Sequence, residues 1–366
     1  MQRLIDSWFE FGRPQQPSLH YARTRDHWRL ALYRYAPRRG SHRTPVLLCH
    51  GMSSNRWNMD GPGRISLARY LVQRGYDTWI VELRGAGRST RPTLWNGKRY
   101  NWTFEDYVHH DAPAALQLVL HETGARQVHW VGHSMGGMIA YALLMSPVQS
   151  KIASAVTLGS PTMSKVGHPL IDFGVPYRGL LRYLPPRVPV GTLARIGAPF
   201  AAMLANVLSD SLAELGWCPG NANLSLLRSL MLTAVDDLPA SLLREFARWY
   251  DTHAMSDRYG MFDFTEHLER ITAPILVIAG SKDGLTPARD LEAVYRRIAS
   301  RDKTFRIIGK AQGFAHDYSH ADLILGLHAP EDVYPVIAQW LEAHRGMVPR
   351  AVRARGTPLR TATARK

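Results

Sequence analysis

The residue with the clearest chemical meaning is Ser134, which stands between Gly132 and Gly136 in a G-x-S-x-G pattern. Residues 127–131 before it predict a short strand, and the apolar residues 137–145 after it predict a buried helix. A strand that turns sharply into a helix strains its turn residue, and small neighbours avoid a clash there. The pattern therefore predicts that Ser134 is a nucleophile exposed at the turn, the alternative being an ordinary strand-to-helix turn.

A serine nucleophile needs a histidine base and a carboxylate that orients the histidine. Residues 274–280 form an apolar run typical of a buried parallel strand, and Asp283 lies in the polar turn beyond its C-terminal end. This position predicts that Asp283 is the acid. The alternative is an Asp-Gly turn residue with no further role.

Two histidines close to each other compete for the role of base, His316 and His320. His320 directly precedes the apolar residues 321–326, which predict a helix, as expected of a base carried on a loop. His316 lies in a longer stretch of glycine and polar residues. We expect His320 to be the base and His316 to be a pocket or surface residue, with the opposite assignment left open.

The negative charge that develops during acyl transfer needs two backbone N–H donors. The residue after the nucleophile, Met135, supplies one of them. Residues 45–49 predict a short strand that ends in His50 and Gly51, so the N–H of Met52 would supply the other. His50 is expected to pack in this loop rather than to act as a base.

Taken together, these motifs resemble the α/β-hydrolase superfamily. Residues 77–89 look like its strand and R-G-x-G-x-S loop, and residues 102–114 resemble the helix before the elbow in acid lipases. Residues 320–334 resemble the histidine-containing end of the acid lipases, which supports His320. The resemblance spans about residues 44–341. It implies an α/β-hydrolase fold with a mostly parallel, doubly wound sheet, and a reaction that requires no cofactor and no metal.

Two features refine this resemblance. Acid lipases are secreted or lysosomal, whereas residues 1–10 carry charges where a signal peptide needs an uninterrupted apolar region. We therefore expect a cytoplasmic protein similar to the bacterial relatives of acid lipases. Polyhydroxyalkanoate synthases look similar around the elbow but use a cysteine, so Ser134 favours hydrolysis over polymerisation.

The domain organisation follows from where strands and helices alternate. A chain of 366 residues with 45% hydrophobic residues can bury a full core. We expect residues 1–159 and 273–345 to form the hydrolase core, beginning with a hairpin. Between residues 160 and 272 the alternation stops, and the patterns at 224–235 and 238–250 predict helices. This segment is predicted to be a helical cap over the active site.

Several apolar side chains in the first half of the predicted cap suggest the wall of an acyl pocket. The alternative is that they form only the small core of the cap itself. These residues are Leu180, Leu181, Leu184, Ile196, Phe200, Met203, Leu204 and Val207.

The composition argues against several other classes of protein. With only Cys49 and Cys218, a disulfide framework is not expected, and no apolar run approaches the ~20 residues that span a bilayer. Histidines and cysteines do not fall into metal-ligand spacing. Residues 345–366 hold seven basic and no acidic residues of a chain whose net charge is +15. We interpret the tail, residues 346–366, as a disordered solvated extension, the alternative being contact with an anionic membrane surface.

The sequence thus predicts a serine hydrolase that cleaves carboxylic esters, with a medium or long acyl chain favoured. An acyltransferase and a cofactor-free perhydrolase would use the same three residues, Ser134, His320 and Asp283. In a protein that only binds, these three residues would have to be inactive. We expect a small ester or lipid as the partner and no nucleic acid, since no nucleic-acid motif accompanies the charge. The oligomeric state is left open.

Overall fold

The computed structural model describes residues 16–37, 41, 43–162, 175–201 and 216–345. The predictions about the charged N-terminal residues and the basic C-terminal tail lie outside this part. Among the described residues, no helix has both the length and the hydropathy that crossing a membrane requires.

An eight-stranded sheet forms the centre of the molecule, in the order β1-β2-β4-β3-β5-β6-β9-β10. Strand β2 runs antiparallel to its neighbours β1 and β4, and all later neighbours are parallel. Strands β7 and β8 form a separate antiparallel pair. The strands are β1 (Ser18–Arg23), β2 (Arg29–Tyr35), β3 (Val46–Cys49), β4 (Thr78–Val81), β5 (Val128–His133), β6 (Ile152–Leu158), β7 (Arg187–Val188), β8 (Leu238–Pro239), β9 (Ile275–Gly280) and β10 (Lys303–Ile308).

Helices cover both faces of the sheet, as the predicted doubly wound α/β fold requires. A π-helical turn, Tyr107–Asp111, joins α2 to α3. The helices are α1 (Leu67–Gln73), α2 (Phe104–Asp106), α3 (Ala112–Thr123), α4 (Met135–Leu144), α5 (Val190–Gly197), α6 (Leu224–Thr233), α7 (Ala240–Thr252), α8 (Ala288–Arg297), α9 (Asp322–Leu325), α10 (Ala329–Asp332) and α11 (Tyr334–Ala343).

The apolar strands bury both of their faces. In β3, Leu47 and Cys49 pack on the face covered by α3 and α4, whereas Val46 and Leu48 pack on the face covered by α1 and α11. This division follows from the period of two residues in a strand. All four residues are fully buried, which explains why such a strand reads as a continuous apolar run rather than as an alternating one.

The segment between β6 and β9, which we call the insertion, contains α5, α6, α7 and the pair β7–β8. The helices predicted at 224–235 and 238–250 are observed as α6 and α7. Helix α6 is capped by Asn223, whose side chain accepts a hydrogen bond from the N–H of Leu226, the usual way to cap a helix start. The structure describes only part of the insertion, so its predicted boundaries stay a prediction.

Candidate active site

Ser134 lies at the junction of β5 and α4. The strand continues to His133, two residues further than the sequence predicted, so the chain turns directly at Ser134. The backbone of Ser134 has φ 53° and ψ −120°, a conformation outside the regions that L-residues favour and one that costs about 1–3 kcal/mol. The N–H of Ser134 donates to the carbonyl of Leu158 at 2.8 Å, which anchors the turn to the end of β6.

The glycines around Ser134 leave no room for side chains. A Cβ at Gly132 would lie 2.2 Å from the carbonyl oxygen of Gly136. A Cβ at Gly136 would lie 2.3 Å from the carbonyl oxygen of Cys49, at the end of β3. Helix α4 can therefore pack against β3 and β5 only because these positions are glycine. This close packing is the physical reason for the two glycines of the G-x-S-x-G pattern.

Asp283 lies three residues after the end of β9, where the sequence placed the acid. Its Oδ1 accepts hydrogen bonds from the N–H groups of Leu285 and Thr286, at 3.0 and 2.7 Å. Its Oδ2 accepts from the hydroxyl of Thr286 at 2.6 Å. With three local donors and a side chain sealed from solvent, the carboxylate is held in one orientation.

His320 lies next to this carboxylate. The Nδ1–H of His320 donates to Oδ2 of Asp283 at 2.9 Å, and the residue is 7% exposed. This bond leaves Nε2 as the nitrogen free to act as a base. The backbone carbonyl of His320 also accepts a hydrogen bond from Nε2–H of His133 at 3.0 Å. The residue before Ser134 thereby ties the serine turn to the histidine loop.

The second candidate base, His316, lies apart from Asp283. Its Nδ1 is 3.1 Å from Oδ2 of Asp332, and its ring stacks on that of His328 with centroids 3.7 Å apart. Its side chain is 35% exposed. The structure thus brings Asp283 and His320 together and places His316 in a different, surface cluster.

The loop after β3 packs against the serine turn. A Cβ added to Gly51 would lie 3.2 Å from the Cβ of Ser134, so Met52 follows a residue that is in near contact with Ser134. Met135 is the first residue of α4, where an N–H has no acceptor within the helix. Met135 therefore adjoins Ser134 in the chain, and Met52 adjoins Gly51, which lies against Ser134.

His50 stabilises the same loop. Its Nε2 accepts from the N–H of Leu83 at 3.1 Å, which leaves the proton on Nδ1, 2.8 Å from the carbonyl of Gly51. Burial lowers the pKa of His50 below its usual value, so the ring is neutral at physiological pH. This agrees with the packing role expected for it.

Three contributors to this region escaped the sequence analysis. Gly159, after β6, has φ 55°, and a Cβ there would lie 3.0 Å from Nδ1 of His320, so only glycine leaves room for the histidine. Thr286 holds the carboxylate of Asp283, and a threonine three residues after an aspartate is a local signal in the sequence. Asp236 of the insertion contacts the loop after β3, and no local pattern indicates this contact.

One group of side chains among the described residues lies close enough to hold a metal ion, namely Asp26, Asp106 and His110. The guanidinium of Arg84 already occupies the space beside them, with Nη1 2.7 Å from Asp26 and 3.7 Å from Asp106. Arg84 also pairs with the buried Asp111 at 2.7 Å. The carboxylates of this group are therefore arranged around the guanidinium of Arg84, which lies where a metal ion would have to bind.

The predicted acyl pocket is not seen in the described part of the insertion. Leu180, Ile196 and Phe200 are 59%, 63% and 58% exposed, so they neither line an enclosed cavity nor form a core there. Met203, Leu204 and Val207 lie outside the described residues. Apolar composition alone does not state which surface a side chain faces, so the acyl pocket stays a prediction.

Comparison with known proteins adds an independent finding. The family model for the alpha/beta hydrolase fold matches residues 44–318. Lipase 3 of Drosophila melanogaster is 25% identical over 367 residues, which cover 89% of either chain. Triacylglycerol lipase 1 of Arabidopsis thaliana is 26% identical over 364 residues, covering 88% of this chain and 86% of its own length.

Solved structures show the same architecture. A thermophilic esterase from Thermogutta terrifontis with malate bound has a TM-score of 0.57 at 19% identity, covering 89% of this chain and 99% of the other. At this identity the likeness concerns the fold alone.

Proposed function

The chain belongs to the alpha/beta hydrolase fold family, and from that premise we propose that it hydrolyses carboxylic esters through a covalent acyl-enzyme formed on Ser134. The observation that carries the proposal is the buried hydrogen bond between His320 and Asp283, which lies beside the strained turn of Ser134. A serine on such a turn, a histidine with its Nδ1 proton fixed and a carboxylate that fixes it are the parts that acyl transfer requires.

In the first half-reaction, Oγ of Ser134 attacks the ester carbonyl while Nε2 of His320 takes its proton. The N–H groups of Met52 and Met135 stabilise the oxyanion of the tetrahedral intermediate. The intermediate collapses, the bond to the alcohol breaks, and His320 protonates the departing oxygen. The serine is left acylated.

In the second half-reaction, water attacks the acyl-enzyme and gives its proton to His320. Collapse of the second intermediate releases the carboxylic acid and returns the proton to Ser134. Asp283 stabilises the imidazolium in both halves and keeps the base nitrogen directed away from itself. The steps use only groups of the chain, the ester and water, so the proposal requires no cofactor.

We infer that the substrate is an ester with a medium or long acyl chain. The relatives named as lipases support this class. The apolar side chains of the insertion, such as Leu180, Ile196 and Phe200, offer a further argument, because residues exposed in this way can contact a hydrophobic substrate.

The test is a series of p-nitrophenyl esters of increasing acyl length, with Ser134→Ala as the control. We expect turnover in the wild type, a fall of roughly 10⁴-fold or more in kcat for the variant, and an optimum above four carbons. Turnover that survives in Ser134→Ala would contradict the proposed nucleophile. Product analysis with added alcohol would reveal an acyltransferase, since a new ester would then replace the acid.

A further inference from the structure

The insertion touches the predicted oxyanion loop through a set of backbone and hydroxyl contacts. Ser53, the residue after Met52, exchanges two hydrogen bonds with Asp236. The N–H of Asp236 donates to the carbonyl of Ser53 at 2.9 Å, and Oγ of Ser53 donates to the carbonyl of Asp236 at 2.5 Å. The next residue, Ser54, donates its hydroxyl to the carbonyl of Ala234 at 2.9 Å and forms a bridge with Val235.

The carboxylate of Asp236 extends this contact to a second loop. Its Oδ2 accepts from the side-chain amide of Asn55 at 2.9 Å and from the N–H of Gly87 at 2.7 Å. Its Oδ1 accepts from the guanidinium of Arg91 at 2.5 Å. The side chain is 4% exposed, so this one buried carboxylate joins the insertion to two loops of the core.

The contact bears on catalysis because of the backbone at Ser53. Ser53 has φ 56°, in the left-handed region that non-glycine residues avoid. Such a conformation persists only where its surroundings impose it. The bonds to Asp236 are on Ser53 itself, and the orientation of the preceding N–H, that of Met52, follows from the same stretch of backbone.

We propose that Asp236 is a positioning residue for the reaction: its carboxylate, bonded to Asn55 and Gly87, holds its backbone against Ser53 and so fixes the loop that directs the N–H of Met52 at the oxyanion. This rests on the proposed function. Its consequence is that the insertion takes part in stabilising the transition state and does more than cover the site. An insertion that undocks from the core would lower the rate of the chemical step.

The neighbouring Asp237 provides a matched control. It is also a buried carboxylate, with a side chain 7% exposed. Its bonds are to Nε of Arg187 at 2.7 Å and to the N–H of Thr192 at 3.0 Å, and both partners belong to the insertion. Removing Asp237 therefore loosens the insertion without touching the loop of Met52.

The experiment measures kcat and KM of the full chain with the p-nitrophenyl ester that the wild type hydrolyses fastest. The melting temperature of each variant is measured as well. The variants are Asp236→Ala, Asp236→Asn, Ser53→Ala and Asp237→Ala. Asp236→Ala removes the carboxylate bonds to Asn55, Gly87 and Arg91 and leaves the backbone bonds to Ser53 without that support. We expect it to lower kcat by roughly 30-fold with KM within about twofold, because a misplaced oxyanion donor acts on the transition state. Asp236→Asn, which keeps an acceptor for Gly87, should recover about half of that loss on a logarithmic scale.

Ser53→Ala removes only one bond and should lower kcat by roughly fivefold, whereas Asp237→Ala should leave kcat within about twofold even if it melts earlier. An unchanged kcat in Asp236→Ala, or an equal fall in Asp237→Ala, would overturn the positioning role while leaving the esterase proposal intact. If Asp236→Ala does not fold, Asp236→Asn and Ser53→Ala decide, and an unchanged kcat in both overturns it. A wild type without turnover dependent on Ser134 would overturn both proposals.

Discussion

The two sides of the candidate site are held in place by different forces. The serine side is fixed by backbone packing inside the sheet, since Gly136 lies against the carbonyl of Cys49 and the N–H of Ser134 is bonded to Leu158. The loop after β3, which carries the proposed oxyanion donor Met52, is fixed by polar contacts to the insertion, above all between Ser53 and Asp236. The first arrangement is part of the core, and the second depends on a docked insertion.

This difference predicts different consequences for substitutions in the core and in the insertion. Packing at glycines tolerates no movement, because interiors are close-packed and a single added carbon is felt. Hydrogen bonds between two segments can be lost together when one of them moves away. We therefore expect changes on the serine side to abolish the reaction or unfold the protein, and changes on the insertion side to reduce its rate or its stability by degrees.

The largest expected effect comes from the histidines. His320→Ala removes the proposed base and should lower kcat by roughly 10⁴-fold or more. His316→Ala removes a ring that contacts Asp332 and His328 on the surface, and kcat should stay within about threefold. Steady-state kinetics on both variants, with circular dichroism to check folding, make the comparison. Loss of activity in His316→Ala with retention in His320→Ala would reverse the assignment.

A smaller effect is expected from a pair of glycine substitutions, one in each region. Gly136→Ala places a carbon 2.3 Å from a backbone oxygen, so β3 or α4 must shift, and the free energy of unfolding should fall by about 2–3 kcal/mol. Gly179→Ala, in the insertion, meets no atom within 4 Å and should change it by less than about 0.5 kcal/mol. Urea denaturation measures both. Equal values would show that the elbow is not packed as described.

The smallest effect concerns a buried carboxyl where the insertion meets the core. Glu245 of α7 accepts a hydrogen bond from the N–H of Phe104 at 2.7 Å. Burial raises the pKa of Glu245 to about 7, although this bond and the nearby Arg248 favour its charged form. Between the usual value of 4.5 and about 7, the folded chain binds more protons than the unfolded chain, so stability falls as pH rises through this window.

Glu245→Gln removes this titration and should raise the melting temperature by roughly 3 °C at pH 8, with little change at pH 5. Differential scanning calorimetry at the two pH values measures the shift. Glu269→Gln is the control, because the side chain of Glu269 is 56% exposed. An increase that is the same at both pH values would mean that titration of Glu245 is not its cause.

What the sequence could predict was local. The turn of Ser134, the strands around it and Asp283 after β9 are each encoded within a few neighbouring residues. The position of His320 before a predicted helix, supported by the family resemblance, favoured it over His316, and the structure brings His320 to Asp283. A mostly parallel sheet followed from apolar runs that alternate with helical patterns, whereas its eight strands and their order come from the structure.

The features that the sequence did not reveal are of two kinds: contacts between residues far apart in the chain, and an extra residue within a helix. Ser53 and Asp236 are 183 positions apart, and neither has a pattern that indicates the other. The π-helical turn that brings Asp111 to Arg84 contains an additional residue with no compositional signal. Apolar residues such as Phe200 are exposed, and hydrophobicity alone does not specify which surface they contact.

The most direct test of the account is covalent labelling of the nucleophile with a fluorophosphonate, followed by mass mapping of the modified peptide. The reagent forms a bond from phosphorus to a serine oxygen and releases fluoride, so it reports an activated serine without knowledge of the substrate. We predict one label per chain on Ser134, with labelling slowed at least about 100-fold in His320→Ala and unchanged in His316→Ala. A label on another serine, or none on a folded wild type, would contradict the central claim.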